Sequence, residues 1–311
     1  MAGLPVPQAH RHLPQEAIVS VIDFAENYSF QVQNEIQSMH WYSDQVTILV
    51  HHDEHRDIVK ELHFYISDDK DHGTVFVQHC LVDVHYAWLK AKGITLDKHV
   101  FFSDGAASQF KSAHAFYFDT RHLGLTEVPA EWNFFESGHG KGEHDGMGAL
   151  VKSALRKWQL LDGDDAPRLT NAKEVVELLQ ARLKTAAPSS FPSRADQRAE
   201  TARYFHLIEM DSVKDLPKLC CKTVPGTRKI HSLKGSSNPN NPTVLFHKEL
   251  SCFCGPCQAG NDEVCEEVAR VGQWLQANLE PTGDIPDALE GDEDEGAIFG
   301  GDYDDLSGLL C

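Results

Sequence analysis

Three aspartates in the amino-terminal half stand where short apolar runs end, and carboxylates so placed can do metal chemistry. Asp23 lies in VSVIDFAENYSF, Asp104 closes HVFFSD, and Asp145 precedes GMGALVK with Glu143 two residues earlier. Clustered carboxylates repel one another and are tolerated mainly where a divalent cation offsets their charge. Oxygen-only ligands favour Mg²⁺ or Mn²⁺. Two such ions about 3.5–4 Å apart can activate a water or a 3′-hydroxyl and stabilise the leaving oxygen of a phosphodiester. Each acid also has a plainer role, since an Asp after a strand forms turns, and Asp104 before GAASQF or Asp145 before GMGAL could cap a helix.

Other residues near these acids could meet a nucleic-acid strand. His139 and Lys141 sit in the Gly-rich GHGKGEHDG, where a backbone can approach phosphates closely, and Gln109 and Lys111 follow Asp104. The run GHGKG lacks the GxxxxGK[ST] spacing of a phosphate-binding P-loop, so nucleotide binding is not expected. His51, His52 and His55 in VHHDEH resemble metal ligands but follow a strand without a matching partner, and read as a solvated loop. His40 and Trp41 read as packing residues. Farther on, ELSCFCGPCQAGNDEVC gathers Cys252, Cys254, Cys257 and Cys265, whose thiolates could close a tetrahedral zinc site. CxC next to CxxC crowds the ligands. One cysteine could therefore be replaced by His231 or His247, and free thiols lining a small core are the alternative.

Five strands are expected to position the acids. AIVSVIDFAENYSF (17–30), QVTILV (45–50) and ELHFYIS (61–67) come first, and HVFFSD (99–104) and EWNFFES (131–137) follow. Helical spacing marks 74–92, 108–123 and 146–161, so three close-spaced strands give way to helix–strand alternation. That order implies an α/β fold with a mixed sheet, in the order 3-2-1-4-5, flanked by helices. The RNase H-like fold is one of few with this order. In it the first and fourth strands are parallel neighbours, so Asp23 and Asp104 could share a cation, and the helix after the fifth strand could bring the third acid to the same edge.

DFAENYSFQVQNEIQSMHW, HVFFSDGAASQFKS and FFESGHGKGEHDGMGALVK resemble the core of eukaryotic DNA-transposon-derived proteins with an RNase H-like (DDE/DDD) transposase domain. The resemblance covers about residues 17–160. It implies a polynucleotidyl transferase or nuclease core acting on DNA by two-metal chemistry, with Asp23, Asp104 and Asp145 as catalytic Mg²⁺ or Mn²⁺ ligands and Glu143 as the alternative third acid. The family's third acid is often a Glu deep in a helix, whereas Glu143 and Asp145 both come early. The amino-terminal DNA-binding part usual in transposases is not expected here, so the chain could be a truncated or domesticated relic. The cysteine segment is similar to the SWIM-type finger of Mutator-like transposases, but lacks its closing CxH. Transposon-end DNA, a nucleus or nucleocytoplasm, and zinc complete what the resemblance implies.

Composition sets the frame. The 311 residues carry a net charge of −19, of which eleven acids without any Lys or Arg lie in 280–311, leaving −8 on the rest. That excludes a strongly basic nucleic-acid-binding body. No apolar run approaches the roughly 20 residues of a membrane span, and the amino terminus lacks a signal-peptide core, so a soluble intracellular protein without membrane contact is expected. The expected organisation is a flexible stretch at 1–16 and the transposase-like core at 17–185. A Pro/Ser-rich linker at 186–200, a small Cys-rich β/α module at 201–279 and a disordered acidic tail at 280–311 follow. In the module, helical spacing marks 261–276. Ile298, Phe299, Leu306, Leu309 and Leu310 among the tail acids suit a segment that docks on a protein partner. The alternative function is therefore a catalytically inactive binding protein that recruits partners through this tail.

Overall fold

The computed structural model describes residues 16–30, 44–55, 60–70, 72–136, 143–161, 167–183, 202–214, 221–238 and 241–279, with Ala9, Leu13, Pro14 and Pro281. Strand β1 (Ala17–Ser29) is the centre, and its first six residues are all buried, as its Val- and Ile-rich sequence requires. It pairs antiparallel with β2 (Gln45–His55) and parallel with β4 (Lys98–Ser103). Strand β3 (Lys60–Ser67) runs antiparallel to β2, and β5 (Ala130–Phe134) runs parallel to β4. The expected order 3-2-1-4-5 is present.

The sheet is larger than the five strands expected. It has nine, in the order β6-β3-β2-β1-β4-β5-β7-β8-β9. Strand β6 (Ala202–Leu207) adds in parallel to β3, while β7 (Ser232–Gly235), β8 (Val244–Lys248) and β9 (Leu275–Asn278) extend antiparallel from β5. An unpaired edge leaves a row of N–H and C=O groups open, and here β3 and β5 both have theirs covered.

Helices cover both faces. Helix α1 is α-helical over Thr74–His79, π-helical over Cys80–His85 and α-helical again over Tyr86–Ala91. Helix α2 (Ala113–Thr126) is capped by Ser112, whose Oγ accepts from the Ala115 N–H at 3.0 Å, so 108–112 form a turn rather than the helical start expected. These two helices pack Val75, Phe76, Leu81, Phe116 and Phe118 against Ile22, Leu49, Phe101 and Trp132 of the sheet. On the opposite face, α3 (Glu143–Leu161) and α4 (Ala172–Leu183) pack Val151, Leu155, Val175 and Leu179 against Val46, Ile48, Val50, Leu62 and Phe64. Each such side chain contributes about 1.5–3 kcal/mol when fully buried. Short helices α5 (Met210–Lys214), α6 (Gly255–Gln258) and α7 (Val268–Val271) complete the set.

The helix expected over 261–276 does not form. A short 3₁₀ turn at Asp262–Val264 and α7 occupy its first part, and Gly272, at φ +74°, turns the chain into β9. Among the described residues no helix is long and apolar enough to cross a membrane.

Candidate metal centres

The acids come first. Asp23 and Asp104 each lie two residues beyond Val21 and Phe102, the last aligned pair of the parallel strands β1 and β4. Residues two apart on a strand share a face, so Asp23 falls on the face of Val21 and Ala25. Helix α3 crosses that face closely. A Cβ on Gly148 would sit 3.0 Å from the Cβ of Ala25, and Lys152 Nζ lies 3.5 Å from Glu26 Oε2. The first turns of α3, which begin with Glu143 and Asp145, therefore pass near the stretch of β1 around Ala25; Asp23 lies within β1, which runs on to Ser29, and not at the strand end expected.

Asp104 is exposed, and its Oδ1 accepts the backbone N–H of Ala106 at 3.1 Å, the local turn bond that an Asp after a strand favours. Gln109 is half-buried and its carbonyl accepts from Thr74 Oγ1 at 2.9 Å. Lys111 is 8% exposed. Its Nζ donates to the Arg228 carbonyl at 3.2 Å and stands over the Phe134 ring, and burial lowers its pKa. His139 and Lys141 lie outside the described residues, as do His40 and Trp41.

The four cysteines converge. Cys252 and Cys254 leave β8, Cys254 forms the cap of α6, Cys257 lies within that helix, and Cys265 follows the 3₁₀ turn. Their Sγ atoms all lie within 4.8 Å of one another, and Cys252 is 3.6 Å from both Cys254 and Cys265. Sulfurs about 2.3 Å from a tetrahedral zinc stand about 3.8 Å apart, so the cluster could hold such a metal with little movement. All four cysteines take part, and neither candidate substitute is needed. His231 faces the Phe134 carbonyl through Nδ1 at 3.1 Å, and His247 sits in β8 opposite Leu275. Burial raises the Cys252 thiol to about 11 and pushes Cys257 up as well. Burial would raise Cys254 too, but the backbone N–H groups of Cys257 and Glu266 outweigh it and bring that thiol down to about 7.

A third group was not visible in the sequence. The VHHDEH segment is no solvated loop: it continues β2, and His51, His52 and Asp53 are buried there. Only His51 and Asp53 point to the α1 face, because side chains alternate along a strand. Cross-strand pairing sets His51 opposite His63 and Asp53 opposite Glu61 on β3, and Asp53 opposite Ser20 on β1. His99 enters from β4 and His85 from the π-helical turn of α1. Ser20, His51, Asp53, His63, His85 and His99 are all fully buried.

The Asp53 carboxylate is the hub of this group. Ser20 Oγ donates to its Oδ1, and His51 Nε2 lies 2.8 Å from the same oxygen. His63 Nε2 and His85 Nε2 each lie 3.5 Å from Oδ2. His99 joins through Nε2, 2.6 Å from Ser20 Oγ. Around the hub, Tyr86 Oη lies 2.8 Å from both His99 Nδ1 and His122 Nε2, and His63 Nδ1 lies 3.0 Å from His206 Nε2. Burial pushes His63 and His99 below the ordinary imidazole range, which favours their neutral forms. Burial alone would raise Asp53, but the imidazoles of His51 and His85 hold it well below the usual carboxylate range. The antiparallel register of β2 and β3 sets Asp53 against Glu61, but no spacing rule links them to His85 and His99.

A family model described as a domain of unknown function (DUF8701) matches residues 6–244, which takes in the acids and the histidine group but ends before the cysteines. No curated protein and no solved structure matches the chain.

Proposed function

The chain belongs to the DUF8701 family, and for it we propose an RNase H-like, transposase-derived core that cuts and joins DNA phosphodiesters with Mg²⁺ or Mn²⁺. The observation that carries this reading is the equivalent placement of Asp23 and Asp104, each two residues beyond the last aligned pair of adjacent parallel strands, on the side of the sheet that α3 crosses. Carboxylates so placed can bridge ions that lower the pKa of an attacking hydroxyl and offset charge on the leaving oxygen. Asp145, with Glu143 as the alternative, supplies the third carboxylate. Transposon-end DNA in the nucleus is the natural substrate. Gln109, Lys111, His139 and Lys141 were singled out as its contacts; the burial of Lys111 makes it a support for the loop after Asp104.

The four cysteines hold Zn²⁺ in this proposal. The ion staples the strand β8, helix α6 and the Cys265 turn, a segment with few apolar contacts of its own. It does no chemistry, because four thiolates leave no open ligand position.

The test is nicking of transposon-end DNA by the purified full chain in Mn²⁺. Cleavage is expected, with losses of at least a hundredfold in Asp23→Ala and Asp104→Ala. Cleavage that survives both substitutions would remove these residues from the site. One observation favours the second reading, a binding protein that keeps the fold without the chemistry. Asp104 already has a structural duty in its bond to the Ala106 N–H. Wild-type protein that binds Mn²⁺ but leaves DNA intact would support that alternative, with the acidic tail, outside the described residues, as the partner-binding segment.

A further inference from the structure

We propose that His51, Asp53, His85 and His99 form a second metal site, buried between the sheet and α1, that holds Zn²⁺ as a structural ion. The inference stands independently of the nuclease reading and involves none of its acids.

Geometry is the first argument. One ligand atom from each of the four residues can be chosen so that all lie within 4.8 Å of one another. Ligands about 2 Å from a tetrahedral zinc stand about 3.3 Å apart, so shifts of about 1 Å or less would close the set. Three imidazoles with one carboxylate match zinc's preference for nitrogen with a single anionic oxygen.

Two of the three imidazoles, His99 and His51, have the outer contact a metal-binding imidazole requires. A ligating histidine holds its other ring nitrogen on a second partner, which fixes the ring and leaves one lone pair for the ion. His99 presents Nδ1 to Tyr86 Oη at 2.8 Å, and Tyr86 in turn reaches His122 Nε2 at 2.8 Å. With zinc on His99 Nε2 in place of the Ser20 Oγ contact, the His99 proton moves to Nδ1, and the tyrosine hydroxyl accepts from His99 and donates to His122. His51 presents Nδ1 to Tyr65 Oη at 3.4 Å, a longer contact of the same kind.

The cost of an empty site is the second argument. Among the described residues, Asp53 Oδ2 and His51 Nε2 have no hydrogen-bond partner of acceptable geometry, although both are shut off from solvent. Buried polar atoms without partners are rare, and a bound ion is one of the ordinary explanations. Asp53 also carries a carboxylate into a fully buried group, and a divalent cation would offset its charge.

The path of α1 is the third. Its π-helical turn ends at His85, so the helix departs from regular α geometry in the turn that delivers this ligand. Such departures occur frequently at functional sites. Full burial leaves no position for a substrate, so the ion's role is to tie β2, β4 and α1 together.

The experiment is zinc quantification by mass spectrometry on the full chain, after gel filtration with a weak chelator to strip loosely held ions. Two zinc ions per chain are expected. A mercurial thiol reagent should release one, from the cysteines, and leave the other. The retained ion should persist in Asp23→Ala and be lost in His85→Ala. Replacing the retained zinc by Co²⁺ in the wild-type chain should give tetrahedral visible bands without sulfur charge transfer, a readout that needs no folded variant. A single zinc, all of it released by the mercurial, would overturn the proposal. So would a retained ion that disappears in Asp23→Ala but not in His85→Ala.

Discussion

His122 and His206 border the buried histidine group, and their environment makes folding sensitive to acid. Burial holds His122 down to about 3, and burial with the nearby His51 holds His206 down to about 4. In an unfolded chain both titrate near 6.5, so between that value and the folded ones only the unfolded chain takes up the proton. Stability is therefore complete above about pH 6.5 and falls with decreasing pH, by about 1.4 kcal/mol per pH unit for each histidine. Urea midpoints measured from pH 7.5 to 4.5 should fall throughout the lower part of that range, and less steeply in His122→Phe. Equal midpoints at pH 7 and pH 5 would refute this account. At the cysteines, Cys254→Ser removes the ligand whose thiolate forms most readily. It should lower amide-exchange protection across β8 and β9 at least tenfold, with little change in β1, and a strong chelator should do the same to the wild-type chain. Unchanged protection in both would mean that the thiols merely pack.

At the level of elements, close approaches decide which helix meets which strand. A Cβ on Gly235 of β7 would come within 2.6 Å of the Asp119 carbonyl oxygen, part of the α2 backbone. Gly235→Ala must push α2 and β7 apart and should cost about 1–3 kcal/mol in chemical denaturation, as overpacking does. A loss below a few tenths of a kcal/mol would show that the two elements separate freely. The order of the five central strands was legible because β1 to β5 are apolar runs separated by polar breaks, and their spacing admits few sheets. The carboxy-terminal half of β2 was not legible. Val50 is followed by His51, His52 and Asp53, so the apolar alternation that marks a strand stops while the strand continues. Its polar side chains find partners on β3, and also on β1, β4 and α1, which lie farther away in sequence. The segment 261–276 misled for the opposite reason. Its helical spacing is real, but the convergence of Cys265 on the other thiols and the positive φ of Gly272 override it. Of the acids, the pairing of β1 with β4 puts Asp23 and Asp104 at matching levels, but β1 runs on to Ser29, so Asp23 lies inside its strand and not at its end. The turn-forming role that the sequence also allows Asp104 is seen in its bond to the Ala106 N–H.

Over the whole molecule, the nine-stranded sheet is closed by strands that come late in the chain. β3 receives β6 and β5 receives β7, so a chain ending at residue 200 would keep all five central strands and leave both edges of that sheet bare. Exposed edges pair with other chains. The truncated protein should form soluble oligomers or aggregates at micromolar concentration under conditions where the full chain elutes cleanly. A monomeric, cooperatively unfolding fragment would show that the late strands are dispensable. The same arrangement has a meaning in time. Ninety-eight residues separate the start of β7 from the end of β5. At synthesis rates of about 5–20 residues per second the ribosome needs about 5 to 20 s to supply the covering strand. The nascent chain thus carries an open template for that interval, which makes its production dependent on chaperone capacity and on translation speed through residues 135–232.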